Sequence, residues 1–163
     1  MDPCGSDLDA VARTLPRLAN CRVYCNDTDS VLPAKTHDDA TSALFWDSIA
    51  SPDWVVGSPP YHTASTIVQQ ALRIAKVGVA FKLRLSFLEP CADRAQLLKQ
   101  HPPTHMIVLP RVVYRKQSVG SSHDWVTEAW FIWCKDGVHL EIPSIGFVTR
   151  DDFDGLVKLV ENF

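Results

Sequence analysis

From Val77 to Phe87 the chain alternates strictly. Val77, Val79, Phe81, Leu83, Leu85 and Phe87 fall on one side, and Gly78, Ala80, Lys82, Arg84 and Ser86 on the other. A period of two predicts a strand with one buried face. Shorter apolar runs at Trp54-Val55-Val56, Met106-Ile107-Val108-Leu109 and Glu128-Ala129-Trp130-Phe131-Ile132-Trp133 predict further buried strands, with Trp130 and Trp133 as core packing. Cys21–Cys25 and Val138–Ile142 predict two short ones.

Between these runs the period changes to that of a helix. Leu8, Val11 and Leu15 fall at helical spacing until Pro16 interferes. Ile67, Val68, Ala71, Leu72 and Ala75 form one stripe behind a Thr63 or Ser65 cap. Ala92, Ala95 and Leu98 make a short helix opened by Pro90 and stopped by Pro102-Pro103. Thr149-Arg150-Asp151-Asp152 reads as a capping box, with Phe153, Leu156, Val157 and Val160 striping a last helix. Strands alternating with helices predict an α/β fold with a largely parallel sheet. Phe45 and Trp46 belong to its core.

The 163 residues suffice for one domain spanning 1–163. Within it, residues 136–163 read as a C-terminal strand and helix that extend a core of 1–135 and cover a sheet edge. A net charge of -3 gives no general attraction to nucleic acid, so such binding requires a local basic patch. Lys82 and Arg84 share a strand face, and Arg111, Arg115 and Lys116 fall in a basic, Gly- and Ser-containing loop; these five are the candidates for a nucleic-acid backbone. A solvated strand rim and a plain hairpin loop are the alternatives. Five cysteines without CxxC spacing point to reduced thiols in an intracellular protein, cytoplasmic or, in a eukaryote, nuclear; no metal site is expected. No apolar run reaches the roughly 18 residues of a membrane helix, so no membrane partner is expected.

The candidate chemistry lies at Asp53-Trp54-Val55-Val56-Gly57-Ser58-Pro59-Pro60-Tyr61. A buried strand ends at the sheet's carboxyl edge, where α/β folds bind ligands. Pro59 and Pro60 stiffen the loop that follows. Ser58 offers a hydroxyl, Pro59 a carbonyl, and Tyr61 a flat ring. An acceptor pair beside a stacking platform suits a planar group bearing an exocyclic amine.

Ser58-Pro59-Pro60-Tyr61 resembles the catalytic motif of S-adenosylmethionine-dependent amino-methyltransferases, (Asp/Asn/Ser)-Pro-Pro-(Tyr/Phe/Trp). These enzymes methylate adenine N6 or cytosine N4 in DNA, and relatives act on RNA or protein glutamine. The resemblance spans Asp2 to Lys135 in the family's motif order. It implies a Rossmann-like class I methyltransferase sheet, mostly parallel with an antiparallel terminal strand at Glu128–Trp133. Asp2-Pro3-Cys4-Gly5 resembles the opening of the cofactor loop, although Ser6, Asp7 and Leu8 stand where further glycines are expected. The strand that should precede Asp2 is absent. The chain is therefore expected to be N-terminally truncated, or completed by a homodimer, a partner chain or a rearranged edge.

By the same resemblance, Val23-Tyr24-Cys25-Asn26-Asp27-Thr28-Asp29 puts Asp27, ahead of Asp29, at the cofactor's ribose. Asp39, in His37-Asp38-Asp39-Ala40-Thr41, would meet its adenine. A solvated Asx turn at Asp27 and a turn or capping aspartate at Asp39 are the alternatives. Tyr61 and Asp27 should line one crevice. The implied activity is methyl transfer from S-adenosylmethionine to a base in DNA, with RNA second. Serine at the first motif position is frequent in cytosine-N4 enzymes, whereas Phe81–Glu89 resembles phage-type adenine enzymes, so adenine N6 is favoured. A protein-glutamine enzyme would carry Asn in place of Ser58 and a peptide-binding extension. The depleted glycines, the missing strand and the lack of room for a target-recognition domain favour the competing expectation: a degenerate, inactive binding or assembly module.

Overall fold

The structure, a computed structural model, describes residues 1–110, 112–114, 124–135 and 144–147. Its strands are β1 (Trp54–Gly57), β2 (Gly78–Arg84), β3 (His105–Val108), β4 (Val112–Tyr114), β5 (Asp124–Val126), β6 (Glu128–Cys134) and β7 (Ser144–Phe147). The helices are α1 (Ala10–Ala19), α2 (Ala43–Ser48), α3 (Ala64–Ile74) and α4 (Ala92–Gln100), with a 3₁₀ turn at Leu85–Leu88. Five strands form one sheet in the order β1-β2-β6-β3-β7, and β4 pairs with β5 in a separate ribbon. β1 lies parallel to β2, β3 parallel to β7, and β6 antiparallel to both β2 and β3. Hence β1, β2, β3 and β7 point one way and β6 the other. This is the mostly parallel α/β sheet that the alternation implied, with the antiparallel strand where it was expected.

The sheet continues beyond β1 through single bridges. The Met1 amino group donates to the Trp54 carbonyl at 2.8 Å, and Val56 N–H donates to the Met1 carbonyl at 2.8 Å. Asp2 then bridges Cys25, and Asn26 bridges Thr36, both in parallel sense. Met1 and Asp2 thus fill the carboxyl end of the slot where the first strand was missed. The strand expected over Cys21–Cys25 shrinks to single bridges at Cys25 and Asn26, because each pairs with a different segment, Cys25 with Asp2 and Asn26 with Thr36.

The alternation of β2 survives folding. Val79, Phe81 and Leu83 are buried on one face beside Val55, Ala129, Phe131 and Trp133. Against them pack Ile67, Val68 and Ala71 of α3, Phe45 and Trp46 of α2, and Leu97 of α4. Each such large side chain contributes about 1.5–3 kcal/mol on leaving water. Phe131 stacks on Trp133 with ring centroids 6.3 Å apart and meets Phe87 edge-on at 5.7 Å. Lys82, Arg84 and Trp130 lie half-buried on the other face, so Trp130 is not a core residue as Trp133 is. Gly78 begins β2 for a steric reason: a Cβ there would sit 2.5 Å from the Trp54 ring and 2.7 Å from the Trp133 carbonyl.

Three other expectations change in detail. α1 runs through Pro16 to Ala19 and ends at Asn20 in the left-handed region (φ 46°). It is a surface helix with no buried residue, so the carbonyl that Pro16 cannot bond is left to water. Thr63 takes the N-cap position of α3, but its hydroxyl donates to the Pro60 carbonyl (3.2 Å) instead of capping. β7 extends the sheet edge just beyond the strand expected at Val138–Ile142; that segment and the helix expected from Thr149 lie outside the described residues. No described helix is long and apolar enough to cross a membrane.

Candidate active site

β1 ends at Gly57 and β2 at Arg84, neighbouring strands pointing the same way, so their carboxyl ends share one edge of the sheet. Ser58-Pro59-Pro60-Tyr61 leaves that edge. Pro59 is buried, Ser58 and Pro60 are exposed, and Tyr61 is 40% exposed. Thr63 N–H closes the turn onto the Pro60 carbonyl at 3.1 Å and hands the chain to α3. The Ser58 hydroxyl points back at the Lys82 carbonyl, 3.4 Å away. That contact takes its proton and leaves its lone pairs as acceptors. Among the described residues, no N–H donates to the Pro59 carbonyl.

Tyr61 is fixed from two sides. Its hydroxyl donates to Oε1 of Glu128 at 2.5 Å, and the Arg84 guanidinium lies over its ring, 4.2 Å from the centroid. Glu128, the first residue of β6, is 1% exposed and accepts from Lys82 Nζ on its other oxygen at 3.2 Å. A buried carboxylate persists only where positive charge and donors surround it. Lys82 and Arg84, expected to meet phosphate, therefore also build the support of Tyr61. Arg111, Arg115 and Lys116 lie outside the described residues.

The first loop reaches the same edge. Asp2 is 2% exposed, and its Oδ1 accepts from Cys4 N–H at 3.1 Å. Its carboxyl lies so close to Gly5 and Gly57 that a Cβ on either would collide with it. Asp2 therefore touches the residue immediately before Ser58. Burial pushes its carboxyl up to about 6, against a smaller opposing effect of the Cys4 N–H. Burial likewise pushes the Cys4 thiol up to about 12, with the Asp2 charge adding to it.

Asn26 joins the remaining segments. It is 1% exposed, and its side-chain amide donates to the carbonyls of Pro3 and Asp38, both at 2.9 Å. Its Oδ1 accepts from Asp38 N–H at 2.9 Å and from the Thr36 hydroxyl at 2.8 Å. One buried amide thus ties the loop at 2–5 to the turns bearing Asp27 and Asp39. Asp27 is half-buried and Asp39 exposed, and each uses Oδ1 in a local turn: Asp27 accepts from Asp29 N–H (2.9 Å), Asp39 from Thr41 N–H (2.8 Å) and Oγ1 (2.7 Å). The Thr41 bonds hold the Asp39 carboxyl below its ordinary value.

A groove of about 320 Å³ opens beside Tyr61, lined also by His62, Ser65, Arg84, Ser86 and Arg94. Asp27 does not line it, so the crevice expected to carry both Tyr61 and Asp27 is not this one. The contact between the two halves runs instead through Asp2 and Gly57. Asn26 and Glu128 are the residues that sequence reasoning passed over. Asn26 sits in a polar run and Glu128 opens an apolar strand, and only burial distinguishes either from a solvated residue. Among the described residues, no cluster of His, Cys, Asp or Glu could hold a metal ion.

No protein-family model matches the sequence, and no curated protein matches it significantly. Solved structures share the fold, among them two named as a methyltransferase and a modification subunit. One, from Listeria monocytogenes, is assigned to the class I S-adenosylmethionine-dependent methyltransferases; it superposes with a TM-score of 0.60 over 99% of this chain and 63% of its own, at 14% identity. The other is a modification subunit assigned to a type I restriction enzyme of Vibrio vulnificus, with a TM-score of 0.54 over 86% of this chain and 41% of its own, at 10% identity. The fold is the Rossmann-like class I methyltransferase fold. At these identities the likeness concerns the fold, and the chain spans less than two thirds of either neighbour.

Proposed function

We propose that this chain transfers a methyl group from S-adenosylmethionine to an exocyclic amine of a base in DNA, adenine N6 ahead of cytosine N4. The observation that carries the reading is the seating of Asp2 against Gly57, which brings the Asp2-Pro3-Cys4-Gly5 loop to the residue before Ser58. The fold supports it, as does the type I modification subunit among its structural neighbours.

The residues present fit the cofactor. A buried carboxyl raised to about 6 favours a cationic partner, and the cofactor's amino-acid end carries an ammonium. Asp2, Pro3, Cys4 and Gly5 would hold that end, Asp27 the ribose and Asp39 the adenine. S-Adenosylmethionine supplies an electrophilic methyl on a sulfonium. The exocyclic amine of a base is a poor nucleophile, because its lone pair is conjugated into the ring. Ser58 Oγ and the Pro59 carbonyl accept its two hydrogens and favour a pyramidal nitrogen, so positioning and preorganised acceptors lower the barrier. The Tyr61 ring, pinned by Glu128, stacks on a base that has left the duplex.

The test is tritiated methyl transfer to unmethylated DNA followed by nucleoside analysis. N6-methyladenine is the expected product. N4-methylcytosine would correct the base, and an unlabelled product at saturating cofactor would sink the reading.

A second reading, a methyltransferase fold kept as a binding or assembly module, is favoured by the groove at Tyr61 that excludes Asp27. Calorimetry separates the two. No heat and no thermal shift at millimolar S-adenosylmethionine would favour the module.

A further inference from the structure

We infer that the groove between Tyr61 and Arg94 binds a backbone phosphate of the nucleic-acid strand that presents the base. The inference deepens the proposed function and rests on it for the identity of the strand.

The groove is a local exception to the chain's charge. The protein carries a net charge of -3, yet among the described residues no Asp or Glu lines this groove, while two guanidinium groups and an imidazole do. Arg94 is the decisive residue. Its Nη1 donates to the Ser86 carbonyl at 2.7 Å, and its guanidinium carbon lies 5.8 Å from the Phe87 ring centroid. Both contacts orient the group, and neither neutralises it. Among the described residues, no carboxylate comes within ion-pair distance of Arg94. A planar cation held in a fixed direction, with further N–H groups to offer, suits a phosphate oxygen pair.

The rest of the wall matches that ligand. Arg84 reaches the groove from the end of β2 with its face on Tyr61. His62, Ser65 and Ser86 add donors from α3 and its approach and from the 3₁₀ turn. About 320 Å³ lies at the small end of ligand-site volumes and is ample for one phosphate and its sugar. Because Tyr61 forms one wall, a strand whose base stacks on that ring carries its neighbouring phosphodiester into the groove.

The test measures binding alone. A fluorescein-labelled 12-nucleotide single-stranded DNA is titrated by anisotropy between 50 and 200 mM salt, without cofactor. Arg94→Gln should weaken binding roughly 5- to 10-fold at low salt and lower the salt slope by about 0.7, the value for one single-strand phosphate. Arg73→Gln, which breaks the exposed pair with Asp47 elsewhere on α3, should change neither quantity beyond a twofold margin.

Should Arg94→Gln lose its fold by melting, Ser65→Glu serves instead. It leaves the Arg94 anchor alone, puts an anion favourably in the first turn of α3, and should weaken binding at least as much. Wild-type affinity and slope in the folded variant, or a wild type that fails to bind, would overturn the proposal. Inorganic phosphate and dAMP are the competing probes. If either displaces the oligonucleotide at micromolar concentration, the groove is a free-phosphate or nucleotide site and the backbone assignment falls. A binding loss in Arg94→Gln alongside an enzyme that transfers no methyl would leave the groove standing and the function fallen. Transfer without that loss gives the converse.

Discussion

The Tyr61 hydroxyl and the Glu128 carboxylate are 67 residues apart in sequence and 2.5 Å apart in the fold. The bond couples the loop after β1 to the first residue of β6, two strands away across the sheet. It makes the orientation of the motif's aromatic ring a property of the sheet. A tyrosine on a free loop would have to lose rotamer freedom each time a ligand stacked on it. Here that ordering is already done by folding, and Arg84 holds the ring's face as well.

Removing the phenol oxygen alone therefore has a measurable cost. Tyr61→Phe should lower unfolding free energy by about 1.5–3 kcal/mol, as for a hydrogen bond to a charged group. Glu128→Ala should cost more than Tyr61→Phe, because it removes the acceptor of both the Tyr61 hydroxyl and the Lys82 ammonium. Urea denaturation of both variants gives the comparison. A Tyr61→Phe protein as stable as wild type would mean the bond is not formed in solution.

Asp2 and Gly57 should be coupled in the same way. Gly57→Ala drives a Cβ into the Asp2 carboxyl and should cost about 1–3 kcal/mol, the usual range for overpacking. In an Asp2→Gly background the collision is gone and most of that loss should disappear. A double-mutant cycle by chemical denaturation measures the interaction. Strict additivity would show that the two residues do not touch.

The same carboxyl predicts a pH dependence. The folded protein holds Asp2 at about 6 against an ordinary 3.8, so between those values the native state binds more protons than the unfolded one. Stability from this group is full below pH 4 and declines as pH rises toward 6. The decline is on the order of 3 kcal/mol. Asp2→Asn cannot titrate, so the stability difference between variant and wild type should shift in the variant's favour from pH 4 to 7. Melting curves across that range test it, and a constant difference would contradict it.

The elements whose evidence is local were legible in the sequence. The alternation at Val77–Phe87 gave β2 because burial on one face imposes a period of two over seven paired residues. Ser58-Pro59-Pro60-Tyr61 announced a loop at a strand end because proline chemistry is itself local. What could not be read is what depends on partners distant in sequence. Glu128 looks like a polar residue opening a strand, and nothing in its neighbours says that Lys82 and Tyr61 will enclose it. Asn26 sits beside Asp27 in a run that reads as a polar turn, yet Asn26 is the one the fold buries. Asp27 and Asp39 were placed by the resemblance to the family's motifs, and the fold shows each of them in a local turn. Pro16 misled in the other direction: α1 runs through it to Ala19, although the missing N–H and the ring's clash with the preceding turn still cost the helix stability.

Thiol reactivity should follow burial. Cys21 and Cys91 are exposed, whereas Cys4 and Cys25 are both pushed up to about 12, chiefly by burial. Native-state alkylation with iodoacetamide at pH 8, read by peptide mapping, should label Cys21 and Cys91 first and leave Cys4 and Cys25 unmodified until unfolding. Early labelling of Cys4 would mean that the loop packed on Asp2 opens in the native state.

Ser58→Ala is the substitution that separates chemistry from structure. Ser58 is exposed, and its hydroxyl makes one long contact, 3.4 Å to the Lys82 carbonyl, so its loss should change stability by no more than about 0.5 kcal/mol. Affinity for S-adenosylmethionine should also hold, since the residues that fit the cofactor lie on the Asp2 loop and the turns at Asp27 and Asp39. Methyl transfer should fall by roughly 10²–10³, the cost of deleting one preorganised hydrogen-bonding group aimed at the reacting centre. Ser58→Asn restores an acceptor oxygen at the same position and should recover much of the rate. Single-turnover transfer on unmethylated DNA, with cofactor calorimetry on the same preparations, reads both quantities. Undiminished transfer in Ser58→Ala would remove the hydroxyl from the mechanism and leave the Pro59 carbonyl to act alone.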